Sequence, residues 1–250
     1  MMLSIKRKEA ILEVIKKQDV VTIQQLIDAI GASESTIRRD LIELEKEEQL
    51  TRVHGGASLQ KRRHDEPSMI EKTTRNKEEK QGIAMYAAKT VQSGSCIYLD
   101  AGSTTYEMIP YLANRDLLVV TNGIQHVQTL MDYGIETYII GGKVKPQTGA
   151  LVGTKAVESL RFYRFDYAFL GMNGVALDGY TTPDPEEANV KQTAMENSAT
   201  SFVLADHTKF DQVSFAYVQA VEQAIIITSP HTDKSKVKSL EKLTTIEVSS

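Results

Sequence analysis

From residue 96 onward, short apolar runs of this 250-residue chain alternate with segments of helical length. The six runs are rich in the aliphatic and aromatic residues that favour strands; they are Cys96–Leu99, Leu117–Val120, Thr137–Ile140, Tyr167–Leu170, Phe202–Leu204 and Ala224–Ile227. Helix-length segments lie between them, near residues 104–112, 123–133, 153–163 and 186–199. Strands that alternate with helices predict a mostly parallel sheet with helices on both faces. We therefore expect an α/β domain over residues 79–250.

In the N-terminal part of the chain, apolar residues instead recur with the period of an α-helix. A first amphipathic helix is predicted from Ser4 to about Lys17, and Thr22 and Ser33 are good N-caps for a second and a third helix. Gly31 ends the second helix, and residues 51–57 alternate and then turn at two glycines, as a short hairpin does. We expect a winged helix-turn-helix over residues 1–58, followed by a charged linker over 59–78 that merges into a helix.

Charge is distributed unevenly between these two parts. Residues 1–63 contain 12 Lys or Arg and 10 Asp or Glu, whereas the remainder contains 17 and 23. The basic residues of the first part also cluster, for example at 6–8, 38–39 and 61–63. A basic module attached to an acidic body indicates that the module faces duplex DNA.

Composition excludes several other classes of protein. The single cysteine, Cys96, rules out a disulfide framework and fits a reducing compartment. No apolar run is long enough to cross a bilayer, and the first residues lack the apolar core of a signal peptide. We therefore expect a cytoplasmic protein without a membrane partner. The five histidines lack the paired spacing of metal ligands, so no metal or other cofactor is expected.

The predicted third helix carries side chains that suit DNA recognition. The second helix of a helix-turn-helix enters the major groove with its N-terminal residues, where hydroxyls and arginines contact phosphates and base edges. The predicted wing adds an arginine and a glycine turn that lets the backbone approach DNA. The expected DNA-binding residues are Ser33, Ser35, Thr36, Arg38, Arg39, Arg52, His54 and Gly55. A capped, solvated helix would explain some of them, but three helices, a glycine turn and a hairpin together favour DNA binding.

This module also matches a known family. The run ASESTIRRDL at 32–41 is followed by LE at 44–45 and by LTRVHGGA at 50–57. This pattern resembles the signature of DeoR-type transcriptional repressors, which bind operator DNA through this element. The resemblance implies that residues 33 to about 45 form the recognition helix.

Polar loops follow most of the predicted strands in the second part. In an open α/β sheet, ligands bind outside the carboxyl ends of the strands, so these loops are expected to border one crevice. The loop Asp100–Thr105 joins a strand to a helix and offers N–H groups and hydroxyls to an anion. It has neither the spacing nor the lysine of a nucleotide-binding P-loop. The expected effector-binding residues are Asp100, Gly102, Ser103, Thr104, Thr105, Asn122, Gly142, Lys143, Asn173, Glu187, Lys191, Asp206 and Lys209. Turn and cap chemistry would explain each of them singly.

The same loops resemble the sensor domain of DeoR-type repressors, which is similar in fold to ribose-5-phosphate isomerase and coenzyme A transferases. The matching runs are Asp100–Thr105, Thr121-Asn122, Gly141-Gly142, Gly179 with Thr181-Thr182, and Ala205–Phe210. The resemblance implies a phosphorylated sugar as effector. Residues 66–72, 98–102 and 179–188 further resemble the fructose-operon repressors of Gram-positive bacteria, which implies fructose 1-phosphate.

Two functions are open at this point. The first is a repressor of a sugar-utilisation operon, acting as a homo-oligomer (dimer or tetramer) because paired recognition helices match paired operator half-sites. The second is an isomerase-like enzyme acting on sugar phosphates, for which Asp100, Asp206 and Glu187 would supply the carboxylates of acid–base chemistry. We expect the repressor and no catalytic residues.

Overall fold

The computed structural model describes residues 4–18, 20–47, 49–53, 55–59 and 66–249. The chain divides into two compact units, Met1–Arg62 and Arg63–Ser250. His54 of the predicted wing and the basic cluster at 61–63 lie outside the described residues.

The first unit consists of three helices and a small antiparallel sheet. In chain order its elements are α1 Ser4–Gln18, β1 Val20–Thr22, α2 Ile23–Ile30, α3 Glu34–Lys46, β2 Leu50–Val53 and β3 Gly56–Leu59. β3 lies between β1 and β2 and pairs antiparallel with both. β2 and β3 form the hairpin predicted as the wing. Gly55 in its turn has a φ of 76°, a conformation that glycine adopts without steric cost.

Side-chain caps and an aliphatic core fix the three helices. Thr22 and Gln25 form a capping box at the start of α2, and Gly31 ends this helix with a φ of 70°. Ser33 caps α3 by accepting a hydrogen bond from Thr36 N. The buried core residues of the unit are Ile11, Ile15, Val21, Leu26, Ile37, Leu41, Leu44, Leu50 and Ala57. Each large aliphatic side chain among them contributes about 1.5–3 kcal/mol on burial.

The second unit is built on a seven-stranded sheet in which all neighbours run parallel. The strands of the unit are β4 Cys96–Leu99, β5 Leu118–Thr121, β6 Glu136–Ile139, β7 Lys143–Lys145, β8 Ala150–Val152, β9 Phe165–Gly171, β10 Gly174–Ala176, β11 Gly179–Thr182, β12 Ser198–Leu204, β13 Ala216–Gln219, β14 Ile225–Thr228 and β15 Ile246–Val248. The order across the large sheet is β15-β14-β12-β9-β4-β5-β6. The predicted parallel sheet is confirmed, and all six predicted strands belong to it.

In the described part of the second unit, five short strands lie outside the large sheet and had no counterpart in the prediction. β7 and β8 form an antiparallel hairpin, and β11 pairs antiparallel with both β10 and β13. Leu151 N donates a hydrogen bond to Asn122 O at 2.7 Å, which ties the β7–β8 hairpin to the loop after β5.

Helices connect the strands, and one of them falls within the predicted linker. The helices are α4 Met69–Thr74, α5 Lys77–Thr90, α6 Ser103–Met108, α7 Ile124–Asp132, α8 Thr154–Leu160, α9 Pro185–Glu196 and α10 Lys234–Leu240. Within the range predicted as linker, α4 is capped by Ser68 and Glu71. Met69 is buried, and its N–H donates to Gln147 O. Residues 66–78 are therefore folded with the second unit. No helix in the described parts of the chain is long and apolar enough to span a membrane.

The large sheet buries both of its faces. Successive side chains of a strand point to opposite faces, and the two hydrophobic clusters divide the inner strands accordingly, whereas the edge strand β6 is mostly exposed. One cluster includes Tyr98, Val120, Ala168, Leu170 and Val203. The other includes Ile97, Leu99, Val119, Phe169 and Phe202. This burial on both sides explains why the strands read as continuous apolar runs in the sequence.

Candidate functional site

The N-terminal turn of α3 gathers the hydroxyl groups predicted to face DNA. Ser33 Oγ lies 2.8 Å from Thr36 Oγ1 and 3.2 Å from Ser35 Oγ, so the three groups are hydrogen-bonded together. Arg38 follows on the next turn and pairs with Glu34 at 2.7 Å. Arg39 is exposed. Exposed hydroxyls and arginines at a helix N-terminus offer hydrogen-bond donors to phosphates and base edges.

The wing is tied to this helix through Arg52. Its Nε lies 2.6 Å from Glu45 Oε2 on α3, and its backbone N–H donates to Glu45 Oε1 at 2.9 Å. These hydrogen bonds from Arg52 lower the pKa of Glu45 below its ordinary value. Gly55 lies three residues further, in the turn of the hairpin.

An ion pair that the sequence analysis missed anchors α3 to α1. Asp40 is 2 % exposed and accepts hydrogen bonds from Arg7 Nε at 2.5 Å and Arg7 Nη2 at 3.0 Å. The signal was present in the helical register, because Asp40 shares the buried face of α3 with Ile37, Leu41 and Leu44. A carboxylate at such a position requires a cationic partner.

In the second unit, loops after four neighbouring strands place predicted effector residues along one edge of the sheet. Asp206 follows β12, Asn173 follows β9, Asp100 follows β4 and Asn122 follows β5. The carboxyl ends of parallel strands meet at the same edge, so these four side chains border one region. Together with Glu187, Lys191, Lys209 and the loop residues Gly102–Thr105, we call them the carboxyl-edge site.

A buried ion pair lies within this site. Lys191 Nζ is 2.5 Å from Asp100 Oδ2, and both side chains are less than a tenth exposed. Gly171 completes the arrangement, since its N–H donates to Asp100 Oδ2 at 3.1 Å and its carbonyl accepts from Lys191 at 2.9 Å. Burial by itself would lower the pKa of Lys191, but the carboxylates of Asp100 and Glu187 raise it above its ordinary value. The lysine is therefore held in its charged form.

Glu187 forms a second layer of hydrogen bonds in the site. It accepts from Thr148 Oγ1 and from Thr182 Oγ1, each at 3.2 Å. Thr182 Oγ1 also lies 3.2 Å from Asn173 Oδ1, which brings the predicted residues Glu187 and Asn173 together. Lys145 Nζ lies 3.4 Å from Glu187 Oε1. Thr148, Thr182 and Lys145 were not among the predicted site residues.

The Asp100–Thr105 loop is held in shape by its own hydrogen bonds. Thr105 Oγ1 lies 2.6 Å from Asp100 O and accepts from Gly102 N at 3.0 Å. A Cβ atom at Gly102 would lie 3.1 Å from Thr105 Oγ1, so a larger residue would crowd this turn. Ser103 and Thr104 are largely buried at the first turn of α6. Their hydroxyls and the nearby N–H groups can donate to an anion.

Two side chains brace this loop from the neighbouring elements. Asn122 Oδ1 accepts from Ala101 N at 2.8 Å, and Asn122 Nδ2 donates to Leu151 O at 3.3 Å. His126 Nε2 lies 3.2 Å from Thr105 Oγ1. Burial lowers the pKa of His126 to about 4, so the imidazole is neutral at pH 7.

Asp206 caps a 3-10 turn, residues His207–Lys209, that follows β12 and ends at Lys209. Asp206 Oδ1 accepts from Thr208 N at 2.9 Å, and burial of this carboxylate opposes its charge. Lys209 nevertheless lowers the pKa of Asp206, as do the hydrogen bonds from Thr208. Lys80 of α5, which was not predicted from the sequence, is 4 % exposed, and burial lowers its pKa to about 8. The signal was a lysine in helical register with Ile83, Ala84 and Ala87.

Gly142 and Lys143 stand apart from these contacts. Gly142 has a φ of 141°, and a Cβ there would lie 2.8 Å from Val152 O, so the position needs glycine for backbone reasons. Lys143 is exposed and pairs with Glu186 at 2.9 Å.

Glu79, Asp206 and His207 place three potential metal-ligand atoms within 4.8 Å of one another. The Glu79 carboxylate already accepts from His207 N at 2.7 Å and from Ser229 Oγ at 2.5 Å, and it lies 2.8 Å from His207 Nδ1. These hydrogen bonds explain the grouping within the protein, and we do not assign it as a metal site.

Comparison with known proteins decides the family. The profile of the DeoR-like helix-turn-helix domain matches residues 7–63, and that of the DeoR C-terminal sensor domain matches residues 75–230. The chain belongs to the DeoR family. Among its DeoR-family relatives, the uncharacterized HTH-type transcriptional regulator FruR of Bacillus subtilis strain 168 is 46% identical over 91% of this chain and 92% of its own. The lactose phosphotransferase system repressor of Lactococcus lactis is 35% identical over 83% of each chain.

A third DeoR-family relative is the HTH-type transcriptional repressor GlcR of Bacillus subtilis, 32% identical over 89% of this chain and 87% of its own. Solved structures that match the chain include ribose 5-phosphate isomerase A from Methanocaldococcus jannaschii. That match has 20% identity and a TM-score of 0.41, and it covers 54% of this chain and 55% of the isomerase. With both DeoR domains present and its relatives named as transcriptional regulators, the protein is a DNA-binding transcriptional repressor rather than an enzyme.

Proposed function

We propose that this DeoR-family repressor controls a sugar-utilisation operon and that a phosphorylated sugar, fructose 1-phosphate, binds at the carboxyl-edge site and releases the protein from its operator. The observation that carries the proposal is the composition of the site. It combines a buried Lys191–Asp100 ion pair with the carboxylate of Glu187 and several hydroxyl and amide groups.

A sugar phosphate needs two kinds of partner. Its hydroxyls need acceptors and donors in fixed positions, and its phosphoryl group needs N–H groups, hydroxyls and a cation. We assign the binding of the sugar hydroxyls to Asp100, Glu187 and Asn173. The phosphoryl group is assigned to Ser103, Thr104 and Lys209. Thr105, Gly102 and Asn122 shape the loop that carries these groups.

The names of two relatives support a sugar-linked role, because the lactose phosphotransferase system repressors regulate a system that handles a sugar. The choice of fructose follows from the resemblance of residues 66–72, 98–102 and 179–188 to fructose-operon repressors.

In the DNA-binding unit, we propose that Ser33, Ser35, Thr36, Arg38 and Arg39 of the recognition helix contact operator DNA, with Arg52, His54 and Gly55 acting from the wing. The protein would act in the cytoplasm as a homo-oligomer, so that two recognition helices match two half-sites. A sugar phosphate that binds the DNA-free arrangement more tightly than the DNA-bound one lowers operator affinity. The factor by which operator affinity falls equals the ratio of the sugar-phosphate affinities of the two arrangements.

Calorimetric titration of the full chain tests the ligand part of the proposal. We expect fructose 1-phosphate to bind at least about tenfold more tightly, or about 1.4 kcal/mol, than fructose 6-phosphate, glucose 6-phosphate or inorganic phosphate. Lys209→Ala should weaken this binding about tenfold because it removes a cation from the phosphoryl group. Lys155→Ala is the matched control, since Lys155 is 82% exposed and pairs only with its helix neighbour Glu158 among the described contacts. Equal affinities for Lys209→Ala and Lys155→Ala would show that the ligand lies elsewhere.

A further inference from the structure

Glu66 belongs to the stretch of chain that leads from the DNA-binding unit into the second unit, yet its side chain is only 6% exposed. Its carboxylate is paired with two lysines, Lys72 through Oε1 and Lys145 through Oε2. Burial opposes its charge, but the two lysines lower the pKa of Glu66, so it remains a carboxylate at pH 7. An acidic residue in a linker is ordinarily solvated, and this one is not.

Further contacts fix residues 66–74, which we call the strap, to the second unit. Met69 N donates to Gln147 O at 2.9 Å, and the Met69 side chain is 4 % exposed. Lys80 donates from Nζ to the carbonyl of Lys72. The strap is thus held at its start, middle and end.

These contacts reach the carboxyl-edge site at two places. Lys145, which pairs with Glu66, also lies 2.9 Å from Asp184 Oδ2 and 3.4 Å from Glu187 Oε1. Lys80 interacts electrostatically with Asp206 and Lys209. A ligand that engages Glu187 or Lys209 therefore acts on the interaction partners of Lys145 and Lys80, the two lysines that hold the strap.

We propose that Glu66 is a coupling residue, which latches the strap onto the rest of the second unit through Lys145, while Lys72 of the strap holds its other oxygen, and which releases the strap when a sugar phosphate occupies the carboxyl-edge site. This inference rests on the proposed function for the identity of the ligand. Release frees residues 66–74 from the rest of the second unit and so adds them to the length of chain that tethers the DNA-binding unit. In an oligomer, a longer tether lowers the effective concentration of the second recognition helix at its half-site, and operator affinity falls.

Glu66→Gln in the full chain tests the latch, because it removes the charge and keeps the shape. In the absence of ligand, we expect the variant to bind an operator fragment about tenfold more weakly than the unsubstituted protein, and fructose 1-phosphate to change that affinity less than twofold. Calorimetry should show that the variant still binds fructose 1-phosphate, which establishes that the second unit is folded. Hydrogen exchange of residues 66–74 should be faster than in the unsubstituted protein.

Glu158→Gln is the matched control, since it removes the ion pair to Lys155 at 2.8 Å on the exposed face of α8 and should leave operator binding unchanged. Lys145→Met is a second variant, which removes the partner of Glu66 outside the strap and should weaken operator binding in the same direction as Glu66→Gln. Operator affinities of Glu66→Gln equal to those of the control, with and without ligand, would overturn the latch. If no sugar phosphate affects the unsubstituted protein but Glu66→Gln still binds operator tenfold more weakly, the latch stands and the assigned ligand is wrong.

Discussion

Lys191 and Asp100 are both buried and oppositely charged, so each charge is stabilised by the other instead of by water. The lysine is 6 % and the aspartate 2 % exposed, and the backbone of Gly171 forms one hydrogen bond with each of them. When one member of such a pair is removed, the other remains charged without a partner in a region of low dielectric constant. A substitution at Asp100 therefore affects stability as well as any ligand, whereas Lys209 is only half-buried and offers the cleaner test of binding.

Lys191→Met should lower the free energy of unfolding of the second unit by about 3–5 kcal/mol, because Asp100 is left unpaired. The double variant Asp100→Asn with Lys191→Met should lose clearly less than the sum of the two single variants, since it removes both charges. Urea unfolding of the four proteins gives this double-mutant cycle. Strictly additive losses would mean that the two charges do not stabilise each other.

His126 predicts a pH dependence of stability. Its pKa is about 4 in the folded protein and about 6.5 when unfolded, because burial disfavours the charged imidazole. Unfolding therefore takes up a proton between these values, so the contribution of the neutral histidine is complete above pH 6.5 and is lost as the pH falls toward 4.

Between pH 7 and pH 5, unfolding free energy should fall by about 2 kcal/mol more in the unsubstituted protein than in His126→Gln, which does not titrate there. Chemical denaturation at both pH values measures the difference. Parallel pH profiles for the two proteins would show that His126 is protonated to the same extent in both states.

Site residues could be predicted from the sequence where their neighbours along the chain mark their position in the fold. Asp100, Asn122, Asn173 and Asp206 each follow an apolar strand, and parallel pairing of the strands brings them to one edge. Glu66, Lys72 and Lys145 escaped prediction because their contacts join residues up to 79 positions apart, and nothing local distinguishes them from solvated charges.

The hairpin of the first unit depends on two adjacent glycines for different reasons. Gly55 adopts a positive φ and has open space around the position of a Cβ atom. At Gly56, a Cβ would lie 2.1 Å from Val21 O of β1, a backbone atom that can yield only if β1 moves away from β3.

Gly56→Ala should therefore destabilise the first unit by about 3 kcal/mol, at the upper end of the cost of overpacking. Gly55→Ala, the matched substitution, should cost about 1 kcal/mol from its left-handed conformation alone. Thermal unfolding of the full chain distinguishes the two. Equal melting temperatures would mean that β3 does not pack against β1 as closely as described.

The ends of the helices show where the local sequence was sufficient to predict the structure. Thr22, Gly31 and Ser33 mark helix ends through side-chain caps and a left-handed turn, and the predicted helices of the first unit match α1, α2 and α3. The helix predicted near 186–199 instead ends at Glu196, because Ser198 already pairs with Phe165 in the sheet. The helix α4 was missed, since four of its six residues are polar and only Met69 is buried.

The two units combine a DNA-binding module and a site suited to a polar, anionic small molecule in one chain. Each unit has its own hydrophobic core, so each can keep its structure while the connection between them changes. In the proposed control of DNA binding, Glu66 relates the carboxyl-edge site to the first described residues of the second unit, because its partner Lys145 also lies 3.4 Å from Glu187 Oε1.

The most direct test is a titration of the full-length protein against a labelled operator fragment at one fixed salt concentration, with and without fructose 1-phosphate. Salt must be constant because phosphate contacts make DNA affinity strongly salt-dependent. We predict that saturating fructose 1-phosphate weakens operator binding by at least about tenfold, or about 1.4 kcal/mol of coupling, while inorganic phosphate at the same concentration has no effect. An operator affinity that stays the same with fructose 1-phosphate and with every other sugar phosphate would contradict the proposed release of the protein from DNA by a sugar phosphate.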